Sequence, residues 1–455
     1  MKPVLSLVIA LAATPALAQA PAVPPGEHPA LREIVTAVSA QRLKEIDTHL
    51  VGFGTRHTLS TTTSPTRGIG AARLWVKAQF AQISQDCGAC LEIITPSQVF
   101  TGPRMPKQGA EVMDVVAIQK GSDPNRYLVM TAHLDSRVTD IMNSTADAPG
   151  ADDDGSGTSA LIEAARVLSK YKFAATIVYS ADSGEEQGLY GGKIIADYAK
   201  AHGWNVEANL NNDMIGSTHG SSGVIDNADA HIFSEGIRDD LTPEQLRRLR
   251  YNGGLVDSPS RNVARYIVKL ANAYIPNFRL EIMYRTDRFD RGGDHVMFNR
   301  NGYPAVRFTE VQENWQRQHQ DVRMVDGVQY GDLLQYVDFG YVAKMTAANA
   351  IALASMAWAP APPTDVKIAG ALTPDTTVSW QAVPNAAGYR IYWRATDAPQ
   401  WQHSMYVGDV TGHVLEDRVI SDWYFGVASV SRDGYESPVV FPGPAGAFQS
   451  EAEAR

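Results

Sequence analysis

Cysteine is scarce in this sequence. Only two cysteines, Cys87 and Cys90, occur in 455 residues. Their spacing is compatible with a redox motif or half of a zinc site, but no second cysteine pair exists to complete a structural zinc site. In an exported protein a local disulfide is the favoured state, with a redox role as the alternative.

The chain also lacks an excess of positive charge. It has 40 Lys and Arg against 50 Asp and Glu, a formal net charge of −10, and no Lys/Arg cluster. A protein that binds nucleic acid needs a basic face to replace the counterions of the phosphates. We therefore predict no nucleic-acid partner.

Long apolar runs are missing except at the N-terminus. Residues 1–18 combine an early charge at Lys2, an apolar core, and the small residues Ala16 and Ala18. This pattern predicts a signal peptide rather than a membrane span, and hence an exported protein, periplasmic or extracellular. Residues 19–30 are rich in proline and alanine, which predicts a flexible lead-in.

Residues 31–358 alternate apolar β-rich runs with helical patterns, which predicts an α/β fold. Such a fold has a largely parallel sheet covered on both faces by helices. The predicted strands lie at 115–118, 127–130, 176–179, 280–283 and 305–308, and the predicted helices at 159–170, 192–202, 261–274 and 333–356.

The composition changes after a proline-rich linker at 359–364. Residues 365–445 contain short alternating β segments without a helical pattern, which predicts a small all-β sandwich. The order PPTDV, TVSW, AGYRIYW and WYFGVASV resembles a fibronectin type III domain. Its aromatic residues are most simply its core.

Acidic and histidine residues follow successive strands of the α/β part. His133 and Asp135, an Asp triplet at 152–154, the pair Glu185 and Glu186, and Asp213 each follow a strand or open a helix. Strand ends of one α/β sheet meet in one crevice, where unpaired carboxylates would destabilise the fold. Imidazole and carboxylate are zinc ligands, so the set predicts a pair of divalent cations.

The segments TAHLDS, PGADDDGSG, SGEEQGLYGG and NNDMIGS, in this order, resemble the di-zinc aminopeptidases of metallopeptidase family 28, as an exported, bacterial-type member. The resemblance covers about residues 31–356. It implies a mixed, largely parallel sheet sandwiched by helices, the zinc exopeptidase fold, and two Zn²⁺ ions as cofactors.

Residue roles follow from the resemblance. It implies that His133, Glu186 and Asp213 bind zinc, that Asp153 bridges both ions, and that Glu185 is the general base. Asp135 corresponds to a carboxylate that orients the metal-binding imidazole of His133.

The last histidine ligand has two candidates. His319, in QRQHQD, lies beyond the strand at 305–308 and is the favoured ligand, although its neighbours depart from the family pattern. His295, in GGDH, resembles a family segment whose histidine does not bind metal. Some members of the family have a tyrosine beside the last histidine ligand that stabilises the oxyanion. This chain has Gln318 beside His319, so the resemblance does not assign a residue to that role.

The resemblance predicts an exopeptidase, most simply an aminopeptidase acting on peptides. A related carboxypeptidase or dipeptidase, a single-zinc enzyme like the glutaminyl cyclases, and a peptide-binding homologue without catalysis are the alternatives. Side-chain preference, oligomeric state and the role of the C-terminal region do not follow from the sequence.

Overall fold

The structure is a computed structural model that describes residues 22–449. Its centre is an eight-stranded sheet with the order β1-β4-β6-β5-β7-β10-β8-β9. The strands are β1 (Leu91–Ile94), β4 (Val115–Gln119), β5 (Arg126–His133), β6 (Thr176–Asp182), β7 (Asn205–Asn212), β8 (Asp229–Ser234), β9 (Arg279–Met283) and β10 (Ala305–Glu310). Two short hairpins lie outside it, β2 (Ser97–Phe100) with β3 (Ala110–Met113), and β11 (Arg323–Val325) with β12 (Val328–Tyr330).

The four central strands β6, β5, β7 and β10 are parallel, and so is the pair β8 and β9. The pairs β1–β4, β4–β6 and β10–β8 are antiparallel. The mixed, mostly parallel sheet confirms the predicted fold class. All five predicted strands are present within these bounds.

Helices cover both faces of the sheet because its strands alternate their apolar side chains. Leu128 and Met130 belong to the core cluster on the side of α4 and α10, whereas Val129 belongs to the cluster on the side of α6. The helices are α1 (Pro29–Ala37), α2 (Ala40–Gly52), α3 (Gly68–Asp86), α4 (Gly157–Leu168), α5 (Glu185–Gly188), α6 (Tyr190–Ala201), α7 (Pro243–Asn252), α8 (Pro259–Tyr274), α9 (His295–Arg300) and α10 (Phe339–Trp358).

Helix α10 begins later than the predicted start at residue 333. A short 3₁₀ turn, Leu334–Tyr336, precedes it, and Asp338 caps the helix by accepting hydrogen bonds from the N–H groups of Gly340 and Tyr341. The capping carboxylate satisfies donors that the first helical turn leaves free, so the helix starts there. No helix within residues 22–449 is long and apolar enough to cross a membrane.

The C-terminal segment contains β13 (Lys367–Ala369), β14 (Thr376–Ser379), β15 (Gly388–Ala395), β16 (His403–Gly408), β17 (Gly412–Leu415) and β18 (Trp423–Val430). These strands form two three-stranded antiparallel sheets with the orders β13-β14-β17 and β16-β15-β18. The β-rich region is therefore present as predicted. Its resemblance to a fibronectin type III domain stays a prediction.

A buried ion cluster joins this segment to the α/β part. Asp257 accepts hydrogen bonds from Arg394 of β15 at 2.6 and 2.8 Å and from Arg265 of α8 at 2.8 Å. All three side chains are at most 1% exposed. We call these three residues the Asp257 cluster.

The predicted lead-in and linker also make contacts. The ring of His28 stacks on Tyr435 with 4.2 Å between the centroids, directly before α1. The carbonyl of Ala361 accepts a hydrogen bond from Ser429 at 2.7 Å. The predicted signal peptide, residues 1–18, lies outside the described residues.

Candidate metal centre

The candidate site lies where neighbouring parallel strands end. Strand β5 ends at His133, β7 ends directly before Asp213, and β6 leads into the turn that carries Glu185 and Glu186. Parallel neighbours place their carboxyl ends at one edge of the sheet. The topology therefore brings together side chains that are up to 80 residues apart in the sequence.

One group of possible ligands is formed by His133, Asp153 and Asp213. The Nε2 atom of His133 lies 3.0 Å from Oδ1 of Asp153 and 3.9 Å from Oδ1 of Asp213. The three ligand atoms lie within 4.8 Å of one another, and all three residues are buried. One cation could contact all three.

A second group shares Asp153 with the first. The Nε2 atom of His319 lies 2.9 Å from the other oxygen of Asp153, Oδ2, and 3.1 Å from Oε1 of Glu186. These ligand atoms also lie within 4.8 Å of one another. The two oxygens of Asp153 thus face different groups, as a bridging carboxylate requires. We call the five residues of both groups the ligand cluster.

The backbone around Asp153 is held by two further carboxylates. Asp153 lies in an irregular helical turn, Ala151–Ser156. Asp332 accepts a hydrogen bond from the N–H of Asp153 at 2.8 Å, and Asp154 accepts one from the N–H of His133 at 3.0 Å. These bonds fix the shared ligand relative to the end of β5.

Asp135 connects His133 to the glutamate turn. The Nδ1 atom of His133 lies 3.0 Å from the carbonyl oxygen of Asp135 and 3.6 Å from its carboxylate. That carboxylate accepts hydrogen bonds from Thr58 at 2.7 Å and from the N–H groups of Glu185 and Glu186 at 3.3 Å each. Holding Nδ1 in this way turns Nε2 toward the ligand cluster.

The cluster has a strongly negative potential. Burial disfavours protonation of His133, but hydrogen bonds to Asp135 and Asp153 outweigh burial and raise the pKa of His133 well above its usual value. Burial also opposes protonation of His319, yet the charges of Glu186 and Asp153 raise its pKa to about 10. Divalent cations would compensate the same potential, and a set of imidazoles and carboxylates without cysteine fits zinc.

Glu185 stands beside the cluster without belonging to either group. Its side chain is half-buried, and its carboxylate makes no hydrogen bond with another described residue. Burial raises the pKa of Glu185 well above its usual value, and repulsion from Asp213 and Glu186 adds to the rise. The turn begins at Gly184, whose φ of +76° favours glycine. An unpaired carboxylate with a raised pKa suits proton transfer.

Arg307, which the sequence analysis did not single out, pairs with a predicted ligand. Its Nη2 atom lies 3.0 Å from Oδ1 of Asp213, and its Nη1 atom donates to Asp287 at 2.8 and 3.0 Å. Burial would raise the pKa of Asp213, but the guanidinium of Arg307 holds it at about 2. The sequence shows only an arginine inside the apolar run at 305–308, and the structure buries it fully.

The two histidine candidates lie in different environments. His319 belongs to the ligand cluster, whereas the Nε2 atom of His295 lies 2.8 Å from the carbonyl oxygen of Thr286. Gln318 points its amide at the shared carboxylate, with Nε2 3.4 Å from Oδ2 of Asp153. At a separate place in the chain, Cys87 and Cys90 form a disulfide.

We compared the sequence of this chain with protein-family profiles and with known proteins. The sequence profile of Peptidase family M28 matches residues 114–335. A probable zinc metalloprotease of Pyrenophora teres f. teres is 41% identical over 429 residues, which cover 93% of this chain and 88% of the relative. The chain belongs to peptidase family M28. A probable zinc metalloprotease of Pyricularia oryzae is also 41% identical, over 427 residues that cover 91% of this chain and 84% of the relative.

These M28 relatives are fungal, so they do not support the expected bacterial type. Two bacterial crystal structures share the fold. LapB of Legionella pneumophila has a TM-score of 0.50 at 18% identity, covering 71% of this chain and 73% of LapB. LapA of the same organism has a TM-score of 0.50 at 22% identity, covering 73% of this chain and 78% of LapA. The whole ligand cluster lies inside the M28 match.

Proposed function

We propose that this chain is an exported, zinc-dependent exopeptidase that removes N-terminal residues from peptides. The observation that carries the proposal is the ligand cluster, in which two groups of ligand atoms share Asp153 while Glu185 stands beside them unpaired. Membership of family M28 and relatives named as probable zinc metalloproteases support peptide hydrolysis and zinc.

We assign one zinc to His133, Asp153 and Asp213, and a second to Asp153, Glu186 and His319. Zinc held there would supply Lewis acidity toward a water molecule and toward the scissile carbonyl. Asp135 keeps the His133 ring oriented for this purpose, and Arg307 keeps Asp213 ionised. His133 and Asp213 are thus held by groups outside the ligand cluster, so their ligand atoms are positioned before a cation binds.

Glu185 is the proposed general base. It takes a proton from the attacking water and gives it to the amine that leaves when the peptide bond breaks. Burial raises the pKa of Glu185, which makes its carboxylate a stronger base toward the water than an exposed carboxylate would be. The carboxylates of Glu185 and Asp213 also offer an anionic environment for the free α-amino group of a substrate, which favours action at the N-terminus.

The experiment measures metal content and hydrolysis together. The zinc-loaded full chain should hydrolyse aminoacyl p-nitroanilides, bind two zinc ions by elemental analysis, and lose activity with a chelator. N-acetylated substrates should not be cleaved. One zinc per chain at full activity would overturn the two-zinc assignment, and cleavage of only the acetylated substrates would overturn the aminopeptidase assignment.

A variant isolates the role of Glu185. Glu185→Gln should keep its zinc and lose on the order of 10²–10⁴ in kcat, the usual contribution of a positioned acid or base. Glu92→Gln makes the same chemical change at a half-exposed position whose carboxylate pairs with Lys120, and it should behave as wild type. Full activity of Glu185→Gln would remove Glu185 from the mechanism.

We also propose that residues 1–18 direct export and that the C-terminal segment is a fibronectin type III-like domain. The disulfide between Cys87 and Cys90 supports an oxidising compartment. Expression with and without residues 1–18 tests export: the full sequence should yield a secreted chain that begins near residue 19, and retention of both forms inside the cell would contradict it.

A further inference from the structure

We propose that Asp287 is a positioning residue of the candidate metal centre, because it holds Arg307 against the metal ligand Asp213. Its carboxylate thereby sets the zinc affinity of one ligand group and leaves that of the other unchanged. The inference rests on the proposed function, since it assumes that the ligand cluster binds zinc. We call His133, Asp153 and Asp213 the first ligand group, and Asp153, Glu186 and His319 the second ligand group.

The guanidinium of Arg307 lies between two buried carboxylates. Its Nη1 atom donates to both oxygens of Asp287, at 2.8 and 3.0 Å, and its Nη2 atom lies 3.0 Å from Oδ1 of Asp213. The three side chains are at most 5% exposed. A planar guanidinium offers its donors in fixed directions, so the pair with Asp287 determines how Nη2 faces Asp213.

The oxygen of Asp213 that Arg307 contacts also faces the first ligand group. The same Oδ1 lies 3.9 Å from Nε2 of His133, and this ring atom lies 3.0 Å from Asp153. Without Asp287 the guanidinium loses its anchor and one of its two carboxylate partners, so its positive charge acts more fully on a cation at this group. Because positive charges repel one another strongly at buried sites, the loss weakens zinc binding.

The carboxylate of Asp287 is itself fixed by its own loop. The N–H of Arg288 donates to Oδ1 of Asp287, and the Nε2 atom of His295 lies 3.7 Å from Oδ2. The same ring nitrogen lies 2.8 Å from the carbonyl oxygen of Thr286. These contacts tie the loop after β9 to the start of α9, which gives the guanidinium a rigid anchor.

The second ligand group has no comparable pair among the described residues. The Nη1 atom of Arg137 lies 3.8 Å from Oε2 of Glu186, which is longer than a hydrogen bond. The other two nitrogens of this guanidinium donate to the backbone carbonyls of Val138 and Thr139. A change at Asp287 therefore acts on the first ligand group alone.

The experiment measures zinc affinity separately for each group, on the full chain after removal of metal, by competition with a chromogenic chelator. Glu186→Gln isolates the first ligand group, and Asp213→Asn isolates the second. In the Glu186→Gln background, Asp287→Asn should lower zinc affinity about 10–100-fold, the usual loss when an outer partner of a metal ligand is removed. In the Asp213→Asn background, Asp287→Asn should leave zinc affinity unchanged.

Two further variants support this comparison. Asp290→Asn makes the same chemical change at an exposed position of the same loop, and it should bind zinc as the unmodified chain does. Arg307→Lys keeps the positive charge, but a single ammonium lacks the planar fork that spans both carboxylates. It should lower the zinc affinity of the first ligand group by about tenfold, and it replaces Asp287→Asn if thermal unfolding shows that this variant does not fold.

The possible outcomes separate this inference from the proposed function. Absence of zinc binding by the unmodified chain would overturn the proposed function itself. Two bound zinc ions whose affinities are unchanged by Asp287→Asn and by Arg307→Lys would overturn the positioning role alone. The same loss of affinity in both ligand groups would also overturn it, because the pair would then support the whole cluster structurally. A loss confined to the first ligand group would establish the role of Asp287.

Discussion

Two buried clusters of charged residues in this protein differ in their numbers of acidic and basic side chains. The ligand cluster contains three carboxylates and two imidazoles; the guanidinium of Arg307 lies 3.0 Å from Asp213, and that of Arg137 lies 3.8 Å from Glu186. The Asp257 cluster has the opposite composition, with one carboxylate between Arg265 and Arg394.

The arginines of the Asp257 cluster also donate to backbone carbonyls. Arg265 donates to the carbonyl of Pro399 at 2.8 Å, and Arg394 donates to that of Ala398 at 2.6 Å. The ring of Tyr424 lies 4.7 Å from the Arg394 guanidinium. This cluster pairs its charges within the protein and joins two regions, whereas the ligand cluster turns imidazole and carboxylate atoms toward one another where a cation could contact them. The kind of side chain, imidazole and carboxylate in one cluster and guanidinium and carboxylate in the other, therefore distinguishes the candidate metal centre from the structural ion cluster.

The largest expected effect comes from Asp153→Asn. The amide keeps the shape but removes the charge that both ligand groups share, so zinc content should fall to one or none per chain. Activity should fall by roughly 10³-fold or more, because the metals supply several kcal/mol of transition-state stabilisation. Elemental analysis and peptide hydrolysis measure this. Asp257→Asn is the control and should keep its zinc; two tightly bound zincs in Asp153→Asn would contradict the bridge.

Asp257→Ala should affect stability instead of metal binding. Removing this carboxylate leaves Arg265 and Arg394 buried without their partner, which costs about 3–5 kcal/mol of unfolding free energy. Urea unfolding of the zinc-loaded protein measures the change. Asp229→Ala removes one side of an exposed pair with Arg279 and should cost about 0–1 kcal/mol. Equal losses of unfolding free energy in both variants would mean that the Asp257 cluster does not stabilise the contact between the C-terminal segment and the α/β part.

Asp135→Asn should weaken zinc binding without removing it. The carboxylate anchors the glutamate turn and lies 3.6 Å from Nδ1 of His133, but the closer partner of Nδ1, the backbone carbonyl of Asp135 at 3.0 Å, is unchanged in this variant. The loss should therefore be about tenfold in metal affinity, the low end of the range for partners of metal ligands. Competition with a chromogenic chelator measures the affinity. Thr58→Val, which removes only the hydroxyl that donates to Asp135, should have a smaller effect. An unchanged affinity in Asp135→Asn would contradict the positioning role.

The last prediction concerns pH. In the zinc-free protein the pKa of His319 is about 10, above its ordinary value of 6.5. Its protonation therefore stabilises the fold fully below pH 6.5, and this stabilisation disappears as the pH rises to about 10. The Tm of the chelated protein should fall over this range, while zinc affinity should rise because binding requires the neutral imidazole. A Tm difference between chelated and zinc-loaded protein that does not change with pH would contradict this.

Strand ends could be predicted from the sequence because buried parallel strands are continuous apolar runs followed by polar residues. This pattern pointed to His133, Glu185, Glu186 and Asp213. The pattern did not point to Arg307 or Asp332, because their roles at the site depend on contacts with Asp213 and Asp153, which lie more than 90 residues away in the sequence. The start of α10 was misplaced because the helical pattern does not reveal which residue caps the helix.

By itself the sequence determined the class of fold, the surplus of acidic and histidine residues after the strands, and the family they resemble, because apolar periodicity and short motifs are local properties. The tertiary structure decided which histidine joins the cluster, how Asp153 divides its oxygens between two groups, and that Asp257 binds the two regions together. Those features depend on angstrom-scale distances between distant segments. They arise only when the packed core fixes the strands and loops in place.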